Sequence, residues 1–415
     1  MDSSNRLCGA VHQITRSRLL CGVNKAIRKD FLYKSYWLIQ NKIIVLGTRE
    51  DMTIGQIKAL CLYGRNDVRV TTLDKLPCKP TDVRIKIEYC GICGTDLHEF
   101  IGGPVLAPQP GETNPYTGCS LPIVLGHEAV GTITEVGDNV KDIDIGQHVM
   151  VNPAITDREL GKELCDGCKQ GKYNVCSRMS YYGFSAASGG LSDEMVVNSM
   201  NIFKIPNHIP MEIGALIEPL SVAWHSVNRS KFPAGGNALI LGSGPIGLGL
   251  ILVLQIFGAK NIVVSEIADQ RAQQAVKFGA TTVVNPLQQD VLKEVTTTCG
   301  TKVDVCYEAT GLQTTLDTAL ACTRPGGTIY NIAIHEKALS INPNQLVENE
   351  IYYTAGNSYT REDIYSVIDS LATGKVDPRA MVTSVVPLEK AVEDGIMELV
   401  NNREKHVKIL VKPGE

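Results

Sequence analysis

The chain reads as a two-domain α/β protein, a β-rich region followed by a doubly wound parallel sheet. Its 415 residues exceed what one ordinary core fills. From Gln56, QIKALCLYGRNDVRVTTL and DVRIKIEYC alternate apolar with polar residues, the period-2 mark of half-buried strands. Gly- and Pro-rich connections come next, and VGTITEVG and QHVMVNP carry the strand texture to about residue 205. The texture then changes. NALILG, NIVVSE, TTVVNP, VDVCYEAT and GTIYNIAI are short buried-strand candidates separated by helical stretches such as ADQRAQQAVKFG and DVLKEVTTT. Strands alternating with helices imply a parallel sheet covered on both faces. A helical REDIYSVIDSLATGKV and a last strand, HVKILVKP, close the chain. The expected boundaries are an extension over 1–52, a first domain over 53–213 and 350–415, and a second over 214–349.

Composition narrows the partners. Hydrophobic residues make up 44% and the net charge is -4, so nothing attracts nucleic acid or an anionic membrane in general. A small neutral ligand fits better. Thirteen cysteines form no regular framework, which points to a reducing compartment with thiols free or metal-bound. ALILGSGPIGLGLILVLQIFGA, Ala238 to Ala259, carries no charge and is long enough to span a bilayer. Its five glycines and one proline fit a buried strand, turn and helix instead.

Residues 1–49 carry nine Lys/Arg against Asp2 and Asp30 and show no sustained period. A basic, acid-poor leader of this kind suits a mitochondrial transit peptide. A disordered extension, or a start at Met52, fits better, because YWLIQNKIIVLG is too apolar and uninterrupted for an amphipathic Arg/Ser helix. The expected location is cytoplasmic, with the mitochondrion as the alternative.

Gly242-Ser243-Gly244-Pro245-Ile246-Gly247 comes after the strand NALIL and opens a helix, and Glu266 stands 19 residues beyond Gly247 at the end of the next strand. That context suits a dinucleotide: glycines for the turn and close approach, a helix N-terminus for the pyrophosphate. A carboxylate at Glu266 accepts both ribose hydroxyls of NAD and repels the 2'-phosphate of NADP. The cofactor-binding candidates are Gly242, Gly244, Pro245, Ile246, Gly247, Glu266 and Arg271. In the first region Cys93, His127 and Glu128 are zinc-compatible and far apart in sequence, as a β fold assembles a site. Singly, each also reads as a packed or surface residue.

GHEAVGTITEVGDNVKDIDIGQHV, CGICGTDLHE, EPLSVAWH and LGSGPIGLG together resemble the zinc-containing medium-chain alcohol dehydrogenases, in the right order and over roughly residues 55 to 413. The resemblance implies a GroES-like catalytic domain and a Rossmann cofactor domain. Within the family the polyol and butanediol dehydrogenases look nearest, because Glu218 occupies their acidic metal-site position. The connection HEFIGGPVLAPQPGETNPYTGCSLPIVLGHE resembles that of fungal (R,R)-butanediol dehydrogenases more than the shorter one of sorbitol dehydrogenases. The same resemblance implies zinc on Cys93, His127 and either Glu128 or Glu218. Thr95 would take the hydroxyl proton and His98 pass it outward. The substrate would be a diol such as (R,R)-2,3-butanediol, oxidised to acetoin with NAD. Polyol or simple secondary-alcohol oxidation is the alternative, and a nucleotide-binding protein without catalysis the distant one. A homodimer or homotetramer is expected, the dimer through the cofactor-domain sheet edge.

KELCDGCKQGKYNVC, residues 162 to 176, holds Cys165, Cys168 and Cys176 as C-x2-C-x7-C. The family's structural zinc lobe runs C-x2-C-x2-C-x7-C, which puts Lys162 where its first cysteine belongs. An ammonium is a poor zinc ligand. Either an acid such as Glu159 or Asp157 substitutes or the metal is absent, and the spacing favours a metal-free or weakly occupied lobe.

Overall fold

The computed structural model describes residues 55–335 and 337–414, together with the backbone of two short leader strands. Those strands, Tyr36–Ile39 and Lys42–Val45, pair antiparallel. The rest of the leader, with the choice between extension and targeting segment, lies outside the described residues.

The first region forms its sheets from the alternating segments. Asp82–Gly91 is the hub of a seven-stranded sheet, pairing with Glu128–Val136, Glu194–Asn198 and Lys408–Lys412. Its alternation drives Val83, Ile85 and Ile87 inward, where they pack with Leu60, Leu62, Ile133 and Ile409. Pairing Leu410 with Gly91 brings the C-terminal strand to the end of the hub. The longest helix within this β-rich region is Gly94–Gly102. The Cys93 N–H donates to Asp96 Oδ2 at 2.9 Å, the back-bond by which a residue in the first turn fixes a helix start.

The second region is a six-stranded parallel sheet. Its order is Thr282–Val284, Asn261–Ser265, Asn237–Leu241, Val303–Glu308, Thr323–Asn331, Tyr352–Ala355. In chain sequence this is 3-2-1-4-5-6, the order that opens a crevice beyond the carboxyl ends of the two central strands. Asn237–Leu241 is buried along its whole length, and each of its leucines and isoleucine gains about 1.5–3 kcal/mol by burial. The sheet takes in Tyr352–Ala355, so it runs past the expected return at 350, because that strand pairs with Thr323–Asn331. The uncharged run from Ala238 divides into the strand Asn237–Leu241 and the helix Pro245–Ile256. Among the described residues no helix is long and apolar enough to cross a membrane.

Candidate catalytic and dinucleotide site

Three side chains able to ligate a metal converge at the end of the hub strand. Cys93 caps the helix Gly94–Gly102, while His127 and Glu128 stand at the start of the strand Glu128–Val136, which pairs with the hub. One ligand atom from each of Cys93, His127 and Glu128 lies within 4.8 Å of the others. Buried Glu128 Oε2 has no protein hydrogen-bond partner, a state that leaves it free for an ion. A thiolate, an imidazole and a carboxylate are the donor types of a three-ligand catalytic zinc. Gly91 permits it: a Cβ there would overlap Glu128 Oε2. Of the two glutamates, Glu128 is the one grouped with Cys93 and His127. Glu218 heads the helix Ile217–Arg229, buried beside them but outside that set.

The surroundings hold these groups. Asp96, fully buried, sets Oδ1 at 3.7 Å from His127 Nδ1, and Phe184 lies against the imidazole with ring centroids 4.7 Å apart. Lys408 donates from Nζ to Glu128 Oε1 at 2.6 Å and to Ile92 O at 3.3 Å. Burial works against the Lys408 charge, but the Glu128 carboxylate holds its pKa above the ordinary lysine range. For Glu218 burial dominates and pushes the carboxyl up to about 7. His127 opposes that rise, Glu128 adds to it, and the Tyr359 hydroxyl opposes it. Nothing in the sequence pointed to Lys408, Phe184 or Tyr359. Asp96 was overlooked too, although it left a local signal, its capping position three residues after Cys93.

Thr95 Oγ1 lies 3.7 Å from Cys93 Sγ, half-buried. His98 is one turn on along the same helix and exposed. Glu99, fully buried, accepts from the N–H groups of Val105, Leu106 and Ala107. It thereby fixes the start of the long connection between the helix and His127. Farther along, Thr117 donates to Ser185 O, next to Phe184.

At the crevice of the parallel sheet the glycine motif takes its form from sterics. Gly242 has φ +94°, a conformation an L side chain resists, and a Cβ on Gly247 would overlap Gly242 O. Gly244 faces open space at the N-terminus of the helix Pro245–Ile256, where Pro245 holds the first turn and Ile246 packs on the core. That opening suits a pyrophosphate. Glu266 accepts four hydrogen bonds: Ser243 N and Oγ at 2.8 and 3.0 Å, Ile267 N and Ala268 N both at 2.9 Å. Arg271 lies nearby, donating to Arg403 O at 3.1 Å; burial lowers its pKa against the pull of Glu266. Cys165, Cys168 and Cys176 gather with Asp157 in a separate lobe. The described cysteines are all free thiols.

Residues 79–207 match the alcohol dehydrogenase GroES-like domain and residues 245–373 the zinc-binding dehydrogenase domain. A probable diacetyl reductase ((R)-acetoin forming) of Saccharomyces cerevisiae is 38% identical over 379 residues, covering 86% of this chain and 90% of its own. The (R,R)-butanediol dehydrogenase of the same yeast is 35% identical, with 86% and 98% covered. Among solved structures, the 2R,3R-butanediol dehydrogenase of Bacillus subtilis superposes with a TM-score of 0.81 at 33% identity, over 86% of this chain and all of that one. Likeness of this length, with both domains matched in order on a single chain, settles the lineage: the chain belongs to the zinc-binding medium-chain alcohol dehydrogenases.

Proposed function

We propose that the protein interconverts a vicinal diol and a hydroxyketone, (R,R)-2,3-butanediol and acetoin, with NAD as the hydride carrier. The observation that carries this is Glu218. It is a second buried carboxylate beside the cluster of Cys93, His127 and Glu128. A simple alcohol offers one hydroxyl to the metal position and leaves Glu218 without a substrate partner, whereas a vicinal diol brings a second hydroxyl. The relatives named for butanediol and diacetyl chemistry are 34–38% identical, against 30% for the Bacillus subtilis sorbitol dehydrogenase. A polyol would use Glu218 equally, so sorbitol-type oxidation is the second reading.

When bound, zinc at Cys93, His127 and Glu128 supplies the Lewis acidity that lowers a hydroxyl's pKa, and NAD supplies the hydride acceptor. The chain's own residues do the rest. Asp96 and Phe184 hold the His127 ring, and Lys408 fixes one oxygen of Glu128 while leaving the other free. Thr95 takes the substrate proton, and exposed His98 on the same helix delivers it to solvent. Glu266 accepts the adenosine ribose hydroxyls and, as an anion, selects NAD over NADP.

The test is steady-state kinetics on purified protein with NAD and NADP against each butanediol stereoisomer, acetoin, sorbitol and ethanol. (R,R)-2,3-butanediol with NAD should give the highest kcat/KM. A higher value for sorbitol would replace this reading with the polyol one. We further propose a dimer through the open edge of the parallel sheet, where Tyr352 is exposed on the last strand. Tyr352→Lys should lower the mass seen by light scattering. A cytoplasmic location is part of the same proposal, and import of a reporter carrying residues 1–51 into mitochondria would refute it.

A further inference from the structure

The lobe at residues 154–179 holds four convergent donors, although its sequence spacing supplies only three. Cys165 precedes the one-turn helix Asp166–Lys169, Cys168 lies within it, and Cys176 comes directly after the short 3-10 turn Tyr173–Val175. Cys165 Sγ and Cys176 Sγ are 3.9 Å apart. That is too far for a disulfide, and close to the roughly 3.8 Å that separates two sulfurs on a tetrahedral zinc with bonds of about 2.3 Å. The fourth donor is Asp157, fully buried. One of its oxygens and the three sulfurs all lie within 4.8 Å of one another.

The two other fourth-ligand candidates are occupied or turned away. Lys162 is exposed, and its backbone N–H donates to Asp157 O at 2.8 Å, which closes the turn and leaves the ammonium in solvent. Glu159 is not among the converging donors, and its Oε2 accepts from Thr156 N and Oγ1, at 2.8 and 2.6 Å. Asp157 is held differently. Its Oδ1 accepts from Arg178 Nε at 2.6 Å and its Oδ2 from Cys165 N at 2.6 Å. A carboxylate oxygen has two lone-pair directions, so each still has one for an ion.

We propose that Asp157, outside the cysteine motif, is the fourth ligand of a three-thiolate, one-carboxylate zinc site in this lobe, with Arg178 as its outer partner. Arg178 orients the carboxylate by its hydrogen bond, as partners of metal ligands do. Three thiolates and one carboxylate also outweigh the charge of zinc, and the guanidinium offsets part of the excess. Its Nη2 further donates to Glu163 O, which ties the two sides of the lobe together. This replaces the metal-free lobe that the spacing alone favoured. It is independent of the substrate assigned to the catalytic site.

The test is metal content of the full-length protein by mass spectrometry, with X-ray absorption at the zinc edge as a readout that needs no activity. The wild type should hold close to two zinc ions per chain and Asp157→Ala close to one, while Lys162→Cys leaves the count unchanged. In a Cys93→Ser background, where the lobe retains the metal, the zinc shell should contain three sulfurs and one oxygen. This measurement stands even if Asp157→Ala fails to fold. A wild type with close to one zinc, raised towards two by Lys162→Cys, would overturn the proposal. So would a lobe zinc whose shell keeps its oxygen in Asp157→Ala.

Discussion

Glu266→Gln separates the charge of this residue from its shape. Two bonds to each oxygen leave no free lone pair on the carboxylate, so a ribose hydroxyl has to displace one of the present donors. The Ser243 hydroxyl is the only one of the four that can rotate away without moving backbone. Glutamine turns an NH2 towards either Ser243 N or the Ile267 and Ala268 N–H groups, and an unsatisfied buried donor costs about 1–3 kcal/mol. Affinity for both cofactors therefore falls. The ratio of kcat/KM for NAD to that for NADP cancels this shared damage and isolates the 2'-phosphate. At an effective dielectric of about 20, unit charges about 4 Å apart repel by roughly 4 kcal/mol, close to a thousandfold. Exposed phosphate oxygens reduce that, so the ratio should drop by about a hundredfold to a thousandfold in Glu266→Gln. Arg271 then remains to attract the phosphate. The assay is initial rates with each cofactor at fixed diol. A wild type that prefers NADP, or a variant ratio within about twofold of wild type, would refute the charge argument.

Cys93→Ser and His127→Ala should each remove the catalytic zinc and lower turnover by roughly a thousandfold or more, while NADH binding, measured by fluorescence, stays near wild type; full activity in either variant would place the metal elsewhere. Lys408→Met should cost about 3–5 kcal/mol in urea unfolding of metal-free protein, because it strands Glu128 in a pair whose side chains are 2% and 0% exposed; a loss below about 1 kcal/mol would show that the pair contributes no charge. Asp363→Asn weakens a buried contact to His225 of 2.7 Å and should cost about 1.5–3 kcal/mol at pH 7. Burial raises the Asp363 pKa, but His225 and Thr360 together bring it below 3.8. Its contribution is therefore present above about pH 3.8 and lost as pH falls through the lower folded value, so the stability gap to Asp363→Asn should narrow from pH 7 to pH 3. A gap that widens in acid would contradict the assigned sign.

The part of the site legible in the sequence was local. The glycine turn and Glu266 belong to one strand, one turn and the next strand, and every part of that unit is contiguous. Cys93 and His127 were legible through short motifs that stand close to their strands. Lys408 was not, since it lies 280 residues from Glu128 and reaches it because Leu410 pairs with Gly91. No periodicity specifies such a pairing. Asp157 was one of two acids weighed for the lobe, and spacing could not choose between them. The choice comes from a reversal of the loop that engages Glu159 with Thr156 and turns Asp157 inward. The strand Tyr352–Ala355 was missed because YYTA is mostly exposed at a sheet edge and lacks the buried pattern of its neighbours.

The segment from Asn357 to Asp363 joins the lobe, the second carboxylate and the cofactor domain. Asn357 and Asn174 exchange hydrogen bonds through Nδ2 and O, at 2.9 and 3.0 Å, which fastens the segment to the lobe. Two residues on, buried Tyr359 faces Glu218. Thr360 then caps the helix Arg361–Ala372, and Asp363 in its first turn bonds His225. His225 and Glu218 share the helix Ile217–Arg229, so this segment touches the element that carries the second carboxylate at two points, two turns apart. Arg361 adds a bond to Met200 O at 2.6 Å and lies over the Phe203 ring. A buried carboxyl with a raised pKa keeps one position only when its neighbours are fixed on several sides. Here those neighbours are His127, Glu128 and Lys408 from the first region and Tyr359 from this segment. A metal in the lobe would thus bear on the position of Glu218 through Asn174, Asn357 and Tyr359, without touching the cluster of Cys93, His127 and Glu128.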